Sequence, residues 1–109
     1  MSYLVKEPRN PAVSAVARAR RQSERGDERR AMLILREACF AAEFEPALWV
    51  HYGLSCFLAR RKDECARALA HALWLRERAR DHARARVMRD LIAHLSGGGR
   101  LPLSMRKAA

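Results

Sequence analysis

Three cysteines and two of the four histidines are the residues of this chain that could bind a metal ion. Cys39, Cys56 and Cys65 stand with His51 and His71 in the middle of the sequence. Zinc sites built on cysteine usually contain a Cys-x-x-Cys pair, and no such pair occurs here. Each cysteine instead recurs with apolar residues at helical spacing, and a buried free cysteine behaves as a small hydrophobic residue. We therefore predict that the thiols pack in the core, and we expect neither a metal nor a cofactor.

Sequence motifs for catalysis are also missing. The chain contains no HExxH, no GxSxG, no phosphate-binding glycine loop and no dinucleotide fingerprint. Its glycine cluster, Gly97 to Gly99, follows a predicted helix instead of opening one, so it indicates a linker. We therefore expect a protein that is not an enzyme.

The charged residues favour an anionic partner. The net charge is +10, and residues 76–109 carry +6 of it. Nineteen of the 22 cations are arginine, a bias typical of a GC-rich bacterial genome. Arginine also suits bidentate contacts with carboxylate or phosphate better than lysine does.

Length and composition indicate one all-α domain. The 109 residues are 50% hydrophobic but only 6% aromatic, so the core must depend on close helix approach. Alternating strand patterns are nearly absent. The apolar cluster at Tyr3, Leu4 and Val5 is too short for a signal peptide, and no apolar run approaches the roughly 20 residues of a membrane span. With an odd number of cysteines, these features predict a cytoplasmic, reduced protein without membrane insertion.

The stretch from Pro46 to Glu77 contains two amphipathic helices with a break near residues 60–62. Apolar or small residues recur at helical spacing in both halves. In the first half they are Trp49, Tyr52, Gly53 and Cys56, and in the second Cys65, Leu69, Ala72 and Leu73.

This order resembles the tetratricopeptide repeat (TPR) family, in which a Trp, a large residue followed by Gly, and a small residue with a large one four positions later mark two packed helices. A shift of 34 residues aligns a second, degenerate copy, with Ala31 on Cys65 and Leu35 on Leu69. That copy has Gly26 and Asp27 at its turn, a helix stop followed by an N-cap. The resemblance implies antiparallel helix-turn-helix repeats, an α-solenoid of about five helices.

The predicted organisation has three parts. An extended N-terminal arm occupies residues 1–10, and a TPR-like helical domain occupies residues 11–95. The domain contains repeats at about 12–45 and 46–79 and a capping helix at about 80–95. We predict that Val87, Met88, Leu91, Ile92 and Leu95 form the buried face of the capping helix. A flexible basic tail, residues 96–109, completes the chain.

The resemblance also implies a concave groove, lined by the first helix of each pair and by the cap. The implied partner-binding residues are Val16, Arg20, Val50, His51, Leu54, Phe57, Arg84 and Met88. Such a groove is apolar in the middle with arginine at both ends, so it suits a peptide with hydrophobic anchors and an acidic flank. Arg84 is singled out because it is predicted within the apolar stripe of its helix. The alternative is that its stem packs there and its guanidinium reaches water.

Two other functions stay open. His82, Arg86 and Arg89 on the opposite face of the capping helix could bind nucleic acid or another polyanion together with the tail, although no aromatic residues are interleaved with the arginines. A homodimer is also possible, because repeat arrays usually need about three units and this chain has two plus a cap. Trp74 lies outside the main stripe and either covers the junction with the last helix or contacts a partner.

Overall fold

Five helices form the part of the chain that the computed structural model describes, residues 11–101. They are α1 (Pro11–Glu24), α2 (Glu28–Ala41), α3 (Pro46–Leu58), α4 (Lys62–Arg78) and α5 (His82–Ser96). No strand occurs within residues 11–101. The prediction of an all-α fold with about five helices is confirmed. The predicted arm, residues 1–10, and residues 102–109 of the predicted tail lie outside the described residues.

The helices recur with the period expected of a helical repeat. α2 begins at Glu28 and α4 begins at Lys62, 34 residues later. Each helix packs against the next one along the chain, and α1 also contacts α3. This arrangement of consecutive antiparallel neighbours is consistent with a helical repeat.

The helix-ending turns share one geometry. Gly26, Arg60, Arg80 and Gly98 have φ values of 85°, 64°, 57° and 86°. After each of them, the next amide donates a hydrogen bond to a carbonyl five residues back, as in the Schellman motif; for example, the Arg61 amide lies 2.7 Å from the Cys56 oxygen. The Asp27 carboxylate accepts a bond from the Arg30 amide at 3.0 Å, which confirms the predicted N-cap. Arginine therefore twice takes the left-handed position that glycine usually occupies.

The central helix α3 has more buried residues than any other helix within residues 11–101. Its buried residues are Leu48, Tyr52, Gly53, Leu54, Ser55 and Cys56. They pack between α2 on one side and α4 on the other, where Leu35 and Leu69 are each 1% exposed. None of α1 to α5 has the length and apolar character that a membrane crossing requires.

The buried face of α5 differs in part from the prediction. Met88 and Leu91 are buried as expected, but Val87 is 55% exposed and Ala85 is 1% exposed. The helix is therefore rotated so that the small side chain of Ala85 faces the core. Ala85 therefore occupies a core position on α5, and Val87 faces solvent.

The chain folds back after α5 instead of leaving the domain at residue 96. Leu101 is 3% exposed and belongs to the core cluster. Nε2 of His94 lies 2.9 Å from the Arg100 carbonyl oxygen. The glycines predicted as a linker form this turn, and a Cβ at Gly99 would overlap the His94 ring. Residues 97–101 of the predicted tail are therefore packed against the helical domain.

Candidate partner-binding surfaces

The side of the molecule formed by α1 and α3 contains a cavity of about 350 Å³. We call it the α1–α3 groove. Its lining is mainly apolar with one cation and one carboxylate, and consists of Ala12, Val13, Val16, Ala17, Arg20, Glu45, Ala47, Leu48 and His51. Three of the predicted partner-binding residues, Val16, Arg20 and His51, therefore come together here.

Arg20 and His51 form the polar end of the α1–α3 groove. Burial lowers the pKa of His51 below its ordinary value, and the positive charge of Arg20 lowers it further. His51 is consequently neutral near pH 7 and can donate or accept a hydrogen bond there. Arg20 is exposed and has no carboxylate partner among residues 11–101. An anionic group entering the groove would therefore find a free guanidinium beside a neutral imidazole.

Two predicted groove residues lie in the core instead. Leu54 is 4% exposed and Met88 is 2% exposed, so neither can contact a partner, and the prediction is wrong for both. Leu54 is buried because α3 is covered on two sides by its neighbours, which leaves only a narrow strip of that helix open. Met88 is buried because it lies on the side of α5 that packs against the core. Val50 is half-buried and packs against the same core.

Phe57 lines a different cavity, of about 330 Å³, between α3, α4 and the end of α5. Its other lining residues are Lys62, Cys65, Ala66, Leu69, Ile92, Leu95, Ser96 and Gly98. The predicted continuous groove is therefore divided into two separate cavities.

Arg84 does not lie in the apolar stripe of α5. Its side chain is 72% exposed, and its Nη1 lies 3.1 Å from an oxygen of Asp81, the N-cap of the same helix. The prediction failed because the rotation of α5 buries Ala85, the next residue, in its place. Arg84 therefore joins neither cavity.

The residues of the alternative polyanion site are exposed, as their positions on α5 indicate. His82 and Arg86 have no partner among the described residues. Arg89 is paired with Glu77 of α4 at 3.1 Å. This pair partly neutralises the basic line, so that side of α5 attracts an anion less strongly than the sequence alone indicates.

The opposite side of the molecule, formed by α2 and α4, carries a cluster of rings that the sequence patterns did not reveal. Trp49 donates its indole N–H to the Glu43 carbonyl at 2.8 Å. Its ring makes an edge contact with His71 at 4.5 Å between centroids. His71 in turn stacks on Trp74 at 5.7 Å with 22° between the planes. The three rings therefore form one continuous aromatic surface across α3 and α4.

Arginines lie over and beside these rings. The guanidinium carbon of Arg78 is 4.8 Å from the centre of the Trp74 ring, and that of Arg36 is 5.7 Å from the centre of Phe40. Arg36 and Phe40 line a cavity of about 370 Å³ together with Trp49, His71 and Arg67. We call this surface the aromatic-arginine face and define it by Arg36, Phe40, Trp49, Arg67, His71, Trp74 and Arg78. The signal available in the sequence was the spacing of three and four residues between the rings and arginines of α2 and of α4.

The cysteines are core residues and are free thiols, as predicted. Burial raises the pKa of Cys39 to about 12 and that of Cys56 to about 11, with a smaller contribution from neighbouring groups. Burial also raises the pKa of Cys65. Within residues 11–101 no group of three or more His, Cys, Asp or Glu side chains is placed to hold a metal ion. These thiols are therefore protonated packing residues at neutral pH.

The chain was compared with protein family models, with curated proteins and with solved structures, and none of them matches. Function must therefore be inferred from the surfaces themselves. The α1–α3 groove and the aromatic-arginine face are the two that combine a cavity, exposed apolar groups and unpaired charge.

Proposed function

We propose that this protein is a non-enzymatic TPR-type interaction module, an adaptor or scaffold that binds a partner peptide or protein in the α1–α3 groove. The observation that supports the proposal most directly is the apolar cavity of about 350 Å³ with Arg20 at its edge. A concave, mostly apolar site with a few convergent polar groups is the usual form of a binding pocket.

The groove indicates the chemistry of the partner. Val13 is 63% exposed at its rim, and Val16 and Ala17 continue the apolar surface inward. An apolar side chain of the partner would bury this surface, because removing apolar area from water is the main driving force for association. Arg20 would pair with an acidic residue or a terminal carboxylate next to that anchor. The net charge of +10 would steer an acidic partner toward the protein.

The proposal includes a cytoplasmic, reducing location. It is supported by three free thiols that are buried without forming a disulfide. A bacterial origin remains part of the same proposal, on the arginine bias alone.

A selection from a random peptide library, followed by affinity measurements, tests the groove. We expect the selected peptides to share an apolar residue beside acidic ones. Val13→Glu and Arg20→Glu should each weaken binding by about tenfold or more, as loss of a central contact does. Val87→Glu is the matched control, because Val87 is 55% exposed on α5, outside the groove. Equal binding by Val13→Glu and Val87→Glu would overturn the proposal.

Self-association is the second candidate for the same groove. α1 has no described helix before it, and the exposed Val13 leaves part of its apolar face uncovered. A second copy of the chain could cover that face. Sedimentation analysis over a range of concentrations distinguishes the cases: a dimer that Val13→Glu dissociates, and Val87→Glu does not, would assign the groove to self-association.

The polyanion alternative on α5 is supported by the exposed and unpaired His82 and Arg86. Its test is salt dependence, since each phosphate contact makes the affinity fall steeply with ionic strength. Loss of polyanion binding in an Arg86→Ala, Arg89→Ala variant would favour this candidate.

A further inference from the structure

We propose that the aromatic-arginine face binds single-stranded nucleic acid, with bases stacking on Trp74 and Phe40 and phosphates pairing with Arg36, Arg67 and Arg78. This inference concerns a surface other than the α1–α3 groove and goes beyond the function proposed above. It depends on three observations: exposed rings, unpaired arginines and hydrogen-bond donors that are already occupied.

The exposed rings are the first observation. Trp74 is 46% exposed and Phe40 is 68% exposed, and Phe44, in the turn after α2, is 73% exposed. Large aromatic side chains dominate interface energetics, so a cluster of them in water marks a contact surface more strongly than a single exposed residue does. Unstacked bases bind such rings regardless of their sequence, because every base has a π-face.

The unpaired arginines are the second observation. Arg61, Arg84 and Arg89 each have a carboxylate partner. Among residues 11–101, Arg36, Arg67 and Arg78 have none, and two of them lie over rings. Their guanidinium groups are therefore available to phosphates. A base that stacks on Trp74 displaces the Arg78 guanidinium from that ring toward a phosphate.

The acidic residue in the same cavity does not oppose an anion strongly. Glu64 accepts a hydrogen bond from Arg61 on one carboxylate oxygen at 2.9 Å and from the Tyr52 hydroxyl on the other at 3.1 Å. Both oxygens are thus engaged within the protein. The salt bridge of Glu64 goes to Arg61, and Arg36 and Arg67 line the same cavity without a salt bridge among the described residues.

A row of side chains along α4 matches the extended form of a single nucleic-acid strand. Arg67, His71, Trp74 and Arg78 follow one another at intervals of four, three and four residues, so they lie along one side of the helix. At about 1.5 Å of rise per residue the row is about 16 Å long. This length corresponds to several phosphates of a single strand, with arginine at both ends and rings between them.

The occupied donors are the third observation, and they disfavour a proline-rich peptide. Proline-rich segments dock in aromatic-lined grooves, where an indole N–H or a phenolic O–H must be free to donate to the peptide carbonyls. Here the Trp49 indole N–H is bonded to Glu43 and the Tyr52 hydroxyl to Glu64. The face therefore offers π-surfaces and guanidinium groups. Duplex nucleic acid would present phosphates but keep its bases stacked, so the rings would remain unused.

The test measures binding of a fluorescein-labelled single-stranded oligonucleotide by anisotropy, and in parallel the quenching of tryptophan emission by the unlabelled strand. Trp49 and Trp74 are the two tryptophans of the chain. We expect stacking to quench emission, and Trp74→Ala to weaken binding by about tenfold, within the range for loss of one base-aromatic stack. Trp74→Tyr should restore most of the affinity, because tyrosine keeps a ring at this exposed position.

A matched pair of double variants separates this face from the net charge of the protein. Arg36→Ala, Arg67→Ala should abolish most of the binding, whereas Arg18→Ala, Arg21→Ala removes the same charge from exposed positions on α1 and should reduce it only slightly. Circular dichroism establishes that both remain helical. Equal loss in the two variants would assign binding to net charge and overturn the proposal.

Competition experiments with other anionic polymers test which chemical class of ligand the face prefers. We expect the single strand to compete better than the same sequence as a duplex, and better than heparin or poly-glutamate, at about 50 and at about 200 mM salt. Equal competition by heparin, or preference for poly-glutamate, would overturn the proposal. The Val13→Glu variant tests peptide binding in the α1–α3 groove independently of this face. Failure of one proposal therefore leaves the other intact.

Discussion

Gly53 of α3 lies directly against Leu69 of α4: a Cβ added to Gly53 would stand 2.7 Å from Cδ2 and 2.9 Å from Cγ of the leucine. Leu69 is 1% exposed, so its side chain has little room to move. The two helices can therefore cross closely only because residue 53 has no side chain. This contact sets the distance between α3, which lines the α1–α3 groove, and α4, which carries the row of rings.

We expect Gly53→Ala to lower the free energy of unfolding by about 1–3 kcal/mol, the usual cost of overpacking a core. The loss should appear although alanine favours a helix over glycine by about 1 kcal/mol. Urea unfolding followed by circular dichroism measures it. Ala70→Gly, on the exposed side of α4, is the control for helix propensity alone. A stabilised Gly53→Ala variant would show that Leu69 is free to move.

Replacing Arg60 or Arg80 with glycine should raise the free energy of unfolding. Both have positive φ, at 64° and 57°, where a side chain costs roughly 1–2 kcal/mol. Part of that gain is offset by the greater freedom of glycine in the unfolded chain, so we expect each change to add about 0.5–1 kcal/mol. Thermal unfolding measures the effect. Gly26→Ala, at φ 85°, should change stability in the opposite direction.

Ser55 has a hydroxyl in the core without a hydrogen-bond partner among the described residues, and its side chain is 1% exposed. Burying an unsatisfied polar group is unfavourable, so Ser55→Ala should raise stability by about 1 kcal/mol. Ser23→Ala is the matched control, because the Ser23 hydroxyl donates to Glu28 at 2.6 Å and its loss should be destabilising. A strongly destabilised Ser55→Ala would mean that the hydroxyl has a partner.

The three thiols should be unreactive in the folded protein. Burial raises the pKa of Cys39 to about 12 and of Cys56 to about 11, and the thiolate is the reactive form. A thiol reagent should therefore label the chain slowly at pH 8, and should label three groups rapidly in denaturant. Fast labelling of the native protein would indicate that the core around α3 opens readily.

The free energy of unfolding should decrease as the pH falls below about 6.5, and part of this decrease should come from His51. The folded-state pKa of His51 lies below its ordinary value of 6.5, so the unfolded chain takes up the proton first. Its contribution is therefore complete above pH 6.5 and is lost as the pH falls toward the folded-state pKa. The measurement is urea unfolding at about pH 7.5 and about pH 5.5, to either side of the ordinary histidine pKa. His51→Gln should show a smaller difference between the two pH values.

The same histidine links stability to binding. A carboxylate bound beside Arg20 would favour the imidazolium form and raise the pKa of His51. The proposed peptide should consequently bind with uptake of protons as the pH falls through 6.5, which calorimetry in buffers of different ionisation enthalpy detects.

The helices and their limits could be predicted from local pattern alone. The apolar spacing of α2 to α4, the N-cap at Asp27 and the small buried cysteines are properties of short stretches, and each agrees with the structure. These features are local because a helix satisfies its own backbone and places residues three and four apart on one side.

Only the tertiary structure decided which side of each helix is covered. Leu54 and Met88 carry the pattern of groove residues, yet they are buried because α3 and α5 are packed more completely than the pattern indicates. Arg84 faces solvent since Ala85 takes the place nearest the core. Phe40 and Trp74 lie 34 residues apart in the sequence, and the packing of α2 and α4 around α3 brings both to one side of the molecule. Burial and the joining of distant side chains depend on neighbours that no single stretch of sequence contains.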